Sequence, residues 1–71
     1  MEMIPVSSRN LLAVGYDIAD STLYVRFRRG GRTYSYANVP DSVYEALMAA
    51  SSKGRYFNYR IRYRYQTTRL S

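Results

Sequence analysis

The sequence predicts an α+β fold: a three-stranded antiparallel meander with one face covered by two C-terminal helices, the second of them short. Three observations predict it. Large apolar residues recur at every second position from Leu12 to Tyr16, from Leu23 to Phe27 and again through Tyr34 and Tyr36, with small or polar residues between them, the period of a half-buried strand. Gly30-Gly31 lies between the last two runs, where a tight hairpin needs positive φ. Val39, Val43, Ala46, Leu47 and Ala50 then recur at helical spacing, giving the apolar stripe that a one-sided sheet requires as cover.

Met1 to Val6 reads as a loose lead-in, with Pro5 keeping Ile4 extended. The first strand lies within Ser7 to Asp17. Ile18 to Ser21 turns the chain, and Asp17 and Asp20 are suited to accept hydrogen bonds from the turn backbone. With Asp17 and Thr22 flanking this loop, Tyr16 lies opposite Leu23, Val14 opposite Val25 and Leu12 opposite Phe27. A two-residue turn at Gly30-Gly31 sets Arg29 against Arg32, Phe27 against Tyr34 and Val25 against Tyr36. Both turns place Leu12, Val14, Tyr16, Leu23, Val25, Phe27, Tyr34 and Tyr36 on one face. Tyr24, Arg26, Arg28, Thr33 and Ser35 form the other, where Gly15 leaves room for the Tyr24 ring. Three strands leave two open edges, a route to self-association.

Asn38 is the expected cap of the first helix, Pro40 fits its first turn, and Asp41 and Glu45 favour the positive end of its dipole. It ends near Ser51-Ser52. From Lys53 two periods compete. As a strand, Phe57, Tyr59, Ile61, Tyr63 and Tyr65 face one way, opposite a ladder of Arg60, Arg62 and Arg64; as a helix, Gly54, Phe57, Ile61 and Tyr65 share a stripe. Ser52 as a cap and the need for more cover over the sheet favour a short helix from about Ser52 to Arg62. Gly54 is the expected interruption after the first helix, and an extended tail follows the second.

Length and composition narrow the classes. Seventy-one residues make one domain, read as an ordered core over about 7–62 and a basic tail over 63–71. There is no cysteine, hence no disulfide framework, and no run approaches the ~18 apolar residues of a membrane span. A cytoplasmic protein is the expectation. The formal charge is +6. Up to Glu45 five arginines balance five acids, whereas from Ala46 onward six basic residues stand with no acid. Ten of the eleven basic residues are arginine, which suits bidentate phosphate contacts and stacking better than lysine does. Without histidine or cysteine, the usual general base, thiol nucleophile and zinc ligands are missing, so neither an enzyme nor a cofactor or metal site is expected.

Two surfaces carry the candidate binding residues. One is the uncovered sheet face and the hairpin tip: Tyr24, Arg26 and Arg28, with Arg29 and Arg32 at the tip to position a phosphate backbone. The other is the C-terminal segment, where Tyr59, Arg60, Arg62, Tyr63 and Arg64 alternate rings for base stacking with guanidinium groups for phosphate. Tyr34 and Tyr36 are assigned to the core, each with a wet hydroxyl, because the register turns both toward the helices. The chemistry fits RNA or another single-stranded nucleic acid, through electrostatic and stacking contacts. An acidic protein partner, docked on the same basic surface by a regulatory or interaction module, is the alternative.

An ordered set of short motifs carries a family resemblance: Ser7-Ser8, Val14-Gly15-Tyr16-Asp17, Leu23-x-Val25-x-Phe27-x-x-Gly30, Tyr34-x-Tyr36, Val39-Pro40 and Ser52-x-Gly54-x-Tyr56-Phe57-Asn58-x-x-Ile61-Arg62. Together they resemble the KTSC domain, a family named after the C-terminal extension of some lysyl-tRNA synthetases, with Tyr-x-Tyr as its hallmark. The resemblance spans nearly the whole chain. It implies a small binding module, with RNA binding suggested by the synthetase association, and no catalytic residues. The tail RIRYRYQTTR departs from the family pattern in its density of Arg and Tyr.

Overall fold

The computed structural model of the chain describes residues 2–71, so Met1 of the expected lead-in lies outside the described residues. The architecture is α+β, an antiparallel sheet with two helices. The sheet has five strands where three were expected. In chain order these are β1 (Ile4–Pro5), β2 (Leu11–Asp17), β3 (Thr22–Phe27), β4 (Thr33–Tyr36) and β5 (Thr67–Arg69), with α1 (Asp41–Ala49) and α2 (Lys53–Arg60) between β4 and β5. The strands lie side by side in the order β1-β2-β3-β4-β5. Both additions come from segments with weak sequence signals. Ile4–Pro5 pairs with Val14 and Ala13, and the exposed residues Thr67–Arg69 of the tail pair with β4. Neither has an apolar alternation to announce it, because each is held by backbone hydrogen bonds and buries little side chain.

The β2–β3 register is the expected one from Asp17↔Thr22 to Ala13↔Arg26. It then slips, and Phe27 pairs with Leu11. A bulge inserts one extra residue and reverses the side-chain alternation beyond it. Leu11 is therefore fully buried, and Leu12, expected in the core, is 37% exposed. The β3–β4 register is also corrected. Val25 pairs with Tyr34 and Leu23 with Tyr36, two residues from the expected alignment, and the Phe27 N–H donates to the Arg32 carbonyl to close a four-residue loop. The cause is on the neighbouring strand: the Arg28 N–H donates to the Asn10 carbonyl and its Nε to the Ser8 carbonyl, so Arg28 leaves the ladder. Gly30 and Gly31 still take the positive φ, 77° and 63°. A shift of two keeps every side chain on its face. Tyr34 and Tyr36 accordingly pack with the core, as expected.

Pro40, with no side-chain cap, occupies the N-cap of α1; Asn38, expected there, takes φ 59° in the preceding turn. Asn is one of the few residues that adopt this conformation readily. Leu47 is the buried anchor of α1, Val43, Tyr44 and Met48 pack beside it, and Ala46 faces solvent. The Tyr44 ring stacks on Tyr16 at 4.7 Å, and the Tyr16 hydroxyl donates to the Val39 carbonyl at 2.6 Å. Residues 53–60 are helical, not extended. Ser52 caps α2 by accepting from the Arg55 N–H. The break after α1 comes before Gly54, which lies in the first turn of α2. A Cβ there would lie 3.1 Å from Asn10 Nδ2, so the glycine lets α2 settle against the entry to β2. Phe57 then packs edge-on against both Phe27 and Tyr36 at 5.4 Å, and Ile61 closes the core.

Candidate functional site

The close seating of α2 creates a cleft. Its first turn meets the entry to β2 through Gly54, and the hairpin tip between β3 and β4 borders the same space. A half-open space of about 1040 Å³ is left between tip and helix. The floor is aromatic, formed by Phe27, Tyr34, Tyr36 and Phe57. Gly54, Asn58 and Arg62 recur four residues apart and supply one wall; Arg29, Gly30 and Arg32 supply the other. The entry to β2 closes one end with Arg9 and Asn10. Ser8 fixes that end, since its Oγ accepts from the N–H groups of both Asn10 and Leu11 at 3.2 Å.

Four arginines, Arg9, Arg29, Arg32 and Arg62, line this cleft, and among the described residues no Asp or Glu does. Arg62 is held by a hydrogen bond from Nη1 to Asn58 Oδ1 and lies 5.1 Å from the centroid of the Tyr63 ring. Tyr63 itself is 87% exposed and has φ 69°. Its conformation turns the ring outward at the cleft mouth, at a backbone cost that non-glycine residues rarely meet. On the floor, burial, followed by the neighbouring Tyr34 phenol, raises the Tyr36 pKa to about 12, against a smaller lowering by Arg62. Its hydroxyl keeps its proton under ordinary conditions.

The acids lie elsewhere. Asp17 and Asp20 are in the β2–β3 turn, where Asp17 Oδ1 accepts from the N–H groups of Ala19 and Asp20, at the far end of β3 from the hairpin tip. Asp41 opens α1 at that same end, tied there by the Val39 N–H donating to the Ser21 carbonyl at 2.8 Å. The charge is thus polarised along the strands, with the arginine cleft at the basic end.

The residues singled out in the sequence are sorted by this geometry. Arg29, Arg32, Arg62 and Tyr63 come together in the cleft. Tyr24 and Arg26 lie on the opposite sheet face, where Arg26 Nε donates to Thr33 Oγ1. Arg28 leaves the sheet face for a shallower hollow beside the cleft, about 500 Å³, which also carries Lys53 and Arg55. Tyr59 and Arg60 are exposed and outside the cleft lining, as is Arg64, whose Nε donates to the Tyr59 carbonyl. No ladder of Arg60, Arg62 and Arg64 forms, because that segment is helix and turn. Sequence reasoning missed Arg9 and Asn10. Their signal was the serine turn directly before a strand, which points both residues to the mouth of the sheet. Among the described residues no group of three or more His, Cys, Asp or Glu is placed to hold a metal ion, and no helix is long and apolar enough to cross a membrane.

A five-stranded antiparallel sheet, two helices and an arginine-lined cleft define a small α+β domain. The chain belongs to the KTSC domain family, whose model matches residues 7–65. A protein of Tsukamurella paurometabola is 43% identical over 68 residues, covering 96% of this chain and all of that one. An uncharacterized protein of Stutzerimonas stutzeri is 40% identical over 58 residues, 82% of this chain and 80% of that one. The crystal structure of a KTSC domain protein from Yersinia pestis superposes with a TM-score of 0.94 at 36% identity, covering 99% of this chain and 97% of that one.

Proposed function

We propose that this domain is a non-catalytic module that binds single-stranded nucleic acid, RNA in preference to duplex DNA, in the cleft between the β3–β4 tip and α2. The observation that carries the reading is the lining itself: Arg9, Arg29, Arg32 and Arg62 converge with no carboxylate among them. Guanidinium groups bind phosphate oxygens in pairs and stack on rings, so one residue type serves both parts of a nucleotide. A strand is favoured over a compact anion by continuity, since the hollow carrying Arg28, Lys53 and Arg55 shares Arg9, Asn10 and Gly54 with the cleft. A single strand can follow that basic track and place a base on the exposed Tyr63 ring. A duplex, with its bases stacked inside, meets only the rim.

The test is a pair of combined variants. Replacing Arg29, Arg32 and Arg62 by Gln is expected to weaken binding of a labelled single-stranded oligoribonucleotide. The slope of log K against log salt is expected to become shallower by about 2, at ~0.7 per phosphate contact on single strands. Replacing Arg60 and Arg64 by Gln is expected to leave most of the affinity. Equal losses from the two variants would take the site out of the cleft.

A further inference from the structure

Tyr36 stands apart from the other residues of the cleft floor. Its side chain is almost wholly inside the core, 4% exposed, with its ring edge-on to Phe57. Among the described residues no hydrogen bond joins its hydroxyl to another group, yet no fully buried side-chain oxygen or nitrogen is left without a partner. Both statements hold only if the Tyr36 oxygen keeps some exposure, and Tyr36 is one of the residues that line the cleft. A phenol that gives up its ring to the core and opens its one polar atom on an arginine-lined space has a donor to offer and nothing in the protein to receive it.

We infer that the Tyr36 hydroxyl is a ligand-contacting donor at the floor of the cleft, and that it hydrogen-bonds a non-bridging oxygen of a backbone phosphodiester. The inference rests on the single-strand reading above and specifies which part of the strand goes deepest. The groups around the hydroxyl support the assignment. Arg29, Arg32, Arg62 and Arg9 are donors only, so the complementary group is rich in acceptor oxygens and negatively charged, as a phosphate is and a base edge is not. Because burial holds its pKa well above neutrality, the phenol remains a donor wherever the strand is charged. The strand then enters the cleft phosphate first. Its bases point outward, toward Tyr63 at the mouth.

Tyr36→Phe tests this, because it removes one oxygen without removing a protein hydrogen bond. Thermal melting of the variant is expected to match the parent. A markedly lower midpoint would mean that the hydroxyl has a structural partner, and would overturn the inference. Binding is then measured with a labelled oligoribonucleotide and with an abasic strand that keeps the same phosphates. The variant is expected to lose roughly tenfold on both, the scale of one hydrogen bond to a charged group. The salt slope is expected to stay that of the parent, because a neutral donor releases no counterion. A loss on the base-containing strand alone would assign the hydroxyl to a base and overturn the phosphate contact. Unchanged affinity for both strands would remove Tyr36 from the site while leaving the single-strand reading intact. If the parent binds neither strand, that reading falls and the inference falls with it.

Discussion

Leu11 and Leu12 share the same chemistry, and one step along β2 separates a fully buried side chain from an exposed one. Leu11→Ala is expected to cost about 2–5 kcal/mol, the range for emptying a packed leucine site. Leu12→Ala is expected to cost less than about 1 kcal/mol. Chemical denaturation of the two variants checks the bulge directly, and the reverse order would put Leu12 back in the core. Alternation alone supports either leucine, because the bulge is made by backbone bonds around Asn10 and Arg28 that leave no mark on the pattern of apolar residues. The tyrosines were more legible. An error of two residues in the β3–β4 register left Tyr34 and Tyr36 on the correct face, since side-chain direction repeats every two residues. Tyr36 also sets a pH dependence. Its phenol titrates near 10 in the unfolded chain and about 12 in the folded one. The unfolded state therefore loses its proton first. This contribution to stability is whole below the unfolded value and is lost as pH rises toward the folded one. Denaturation midpoints measured from about pH 9 to about pH 12 are expected to fall more steeply for the parent than for Tyr36→Phe. Parallel declines would mean that the phenol is not shielded.

At the scale of elements, α2 supplies one wall of the cleft and β5 closes the β4 edge of the sheet, and the two were unequally visible. The Ser52 cap, the need for more cover over the sheet and the family resemblance favoured α2, although Arg/Tyr alternation through residues 59–65 also fits a strand. What decided it physically is Gly54, whose missing side chain lets the helix rest on Asn10 and Ser8. Gly54→Ala gains up to about 1 kcal/mol of helix propensity and presses on the Asn10 amide, so its stability is expected to stay within about 1 kcal/mol of the parent. Gly54→Leu has no such room and is expected to destabilise by at least about 1–3 kcal/mol. A neutral result for leucine would mean that α2 is not seated on β2. The strand β5 was not legible, because Thr67, Thr68 and Arg69 are all exposed and bury nothing that a hydropathy pattern registers. It is held by the β4 ladder, by the Leu70 N–H donating to the Thr33 carbonyl and by the Thr33 N–H donating to Ser71 Oγ. Removing residues 67–71 is expected to leave the core folded and to bare the β4 edge, producing concentration-dependent association in light scattering. A truncated protein that stays monomeric at every concentration would show that β5 is not the guard of that edge.

For the molecule as a whole, the balance of five acids against eleven basic residues matters less than where each group sits. The sequence placed the charge excess after Ala46, yet the cleft draws Arg9, Arg29 and Arg32 from the first half and Arg62 from the second. Such a convergence is a property of topology. The antiparallel order brings the start of β2 and the β3–β4 tip to one end of the sheet, and α2 crosses beside them. Asp17, Asp20 and Asp41 collect at the other end, so the molecule is polar along its strands. The most direct test is a titration of the protein with labelled single-stranded RNA, single-stranded DNA and duplex DNA of matched length, each across a salt series. The predicted result is binding that favours the single strands, RNA foremost, and weakens with salt at about 0.7 in slope per phosphate contact. Weak binding of equal strength to all three would contradict it, making the +6 charge a nonspecific attraction and turning the cleft toward an acidic protein segment.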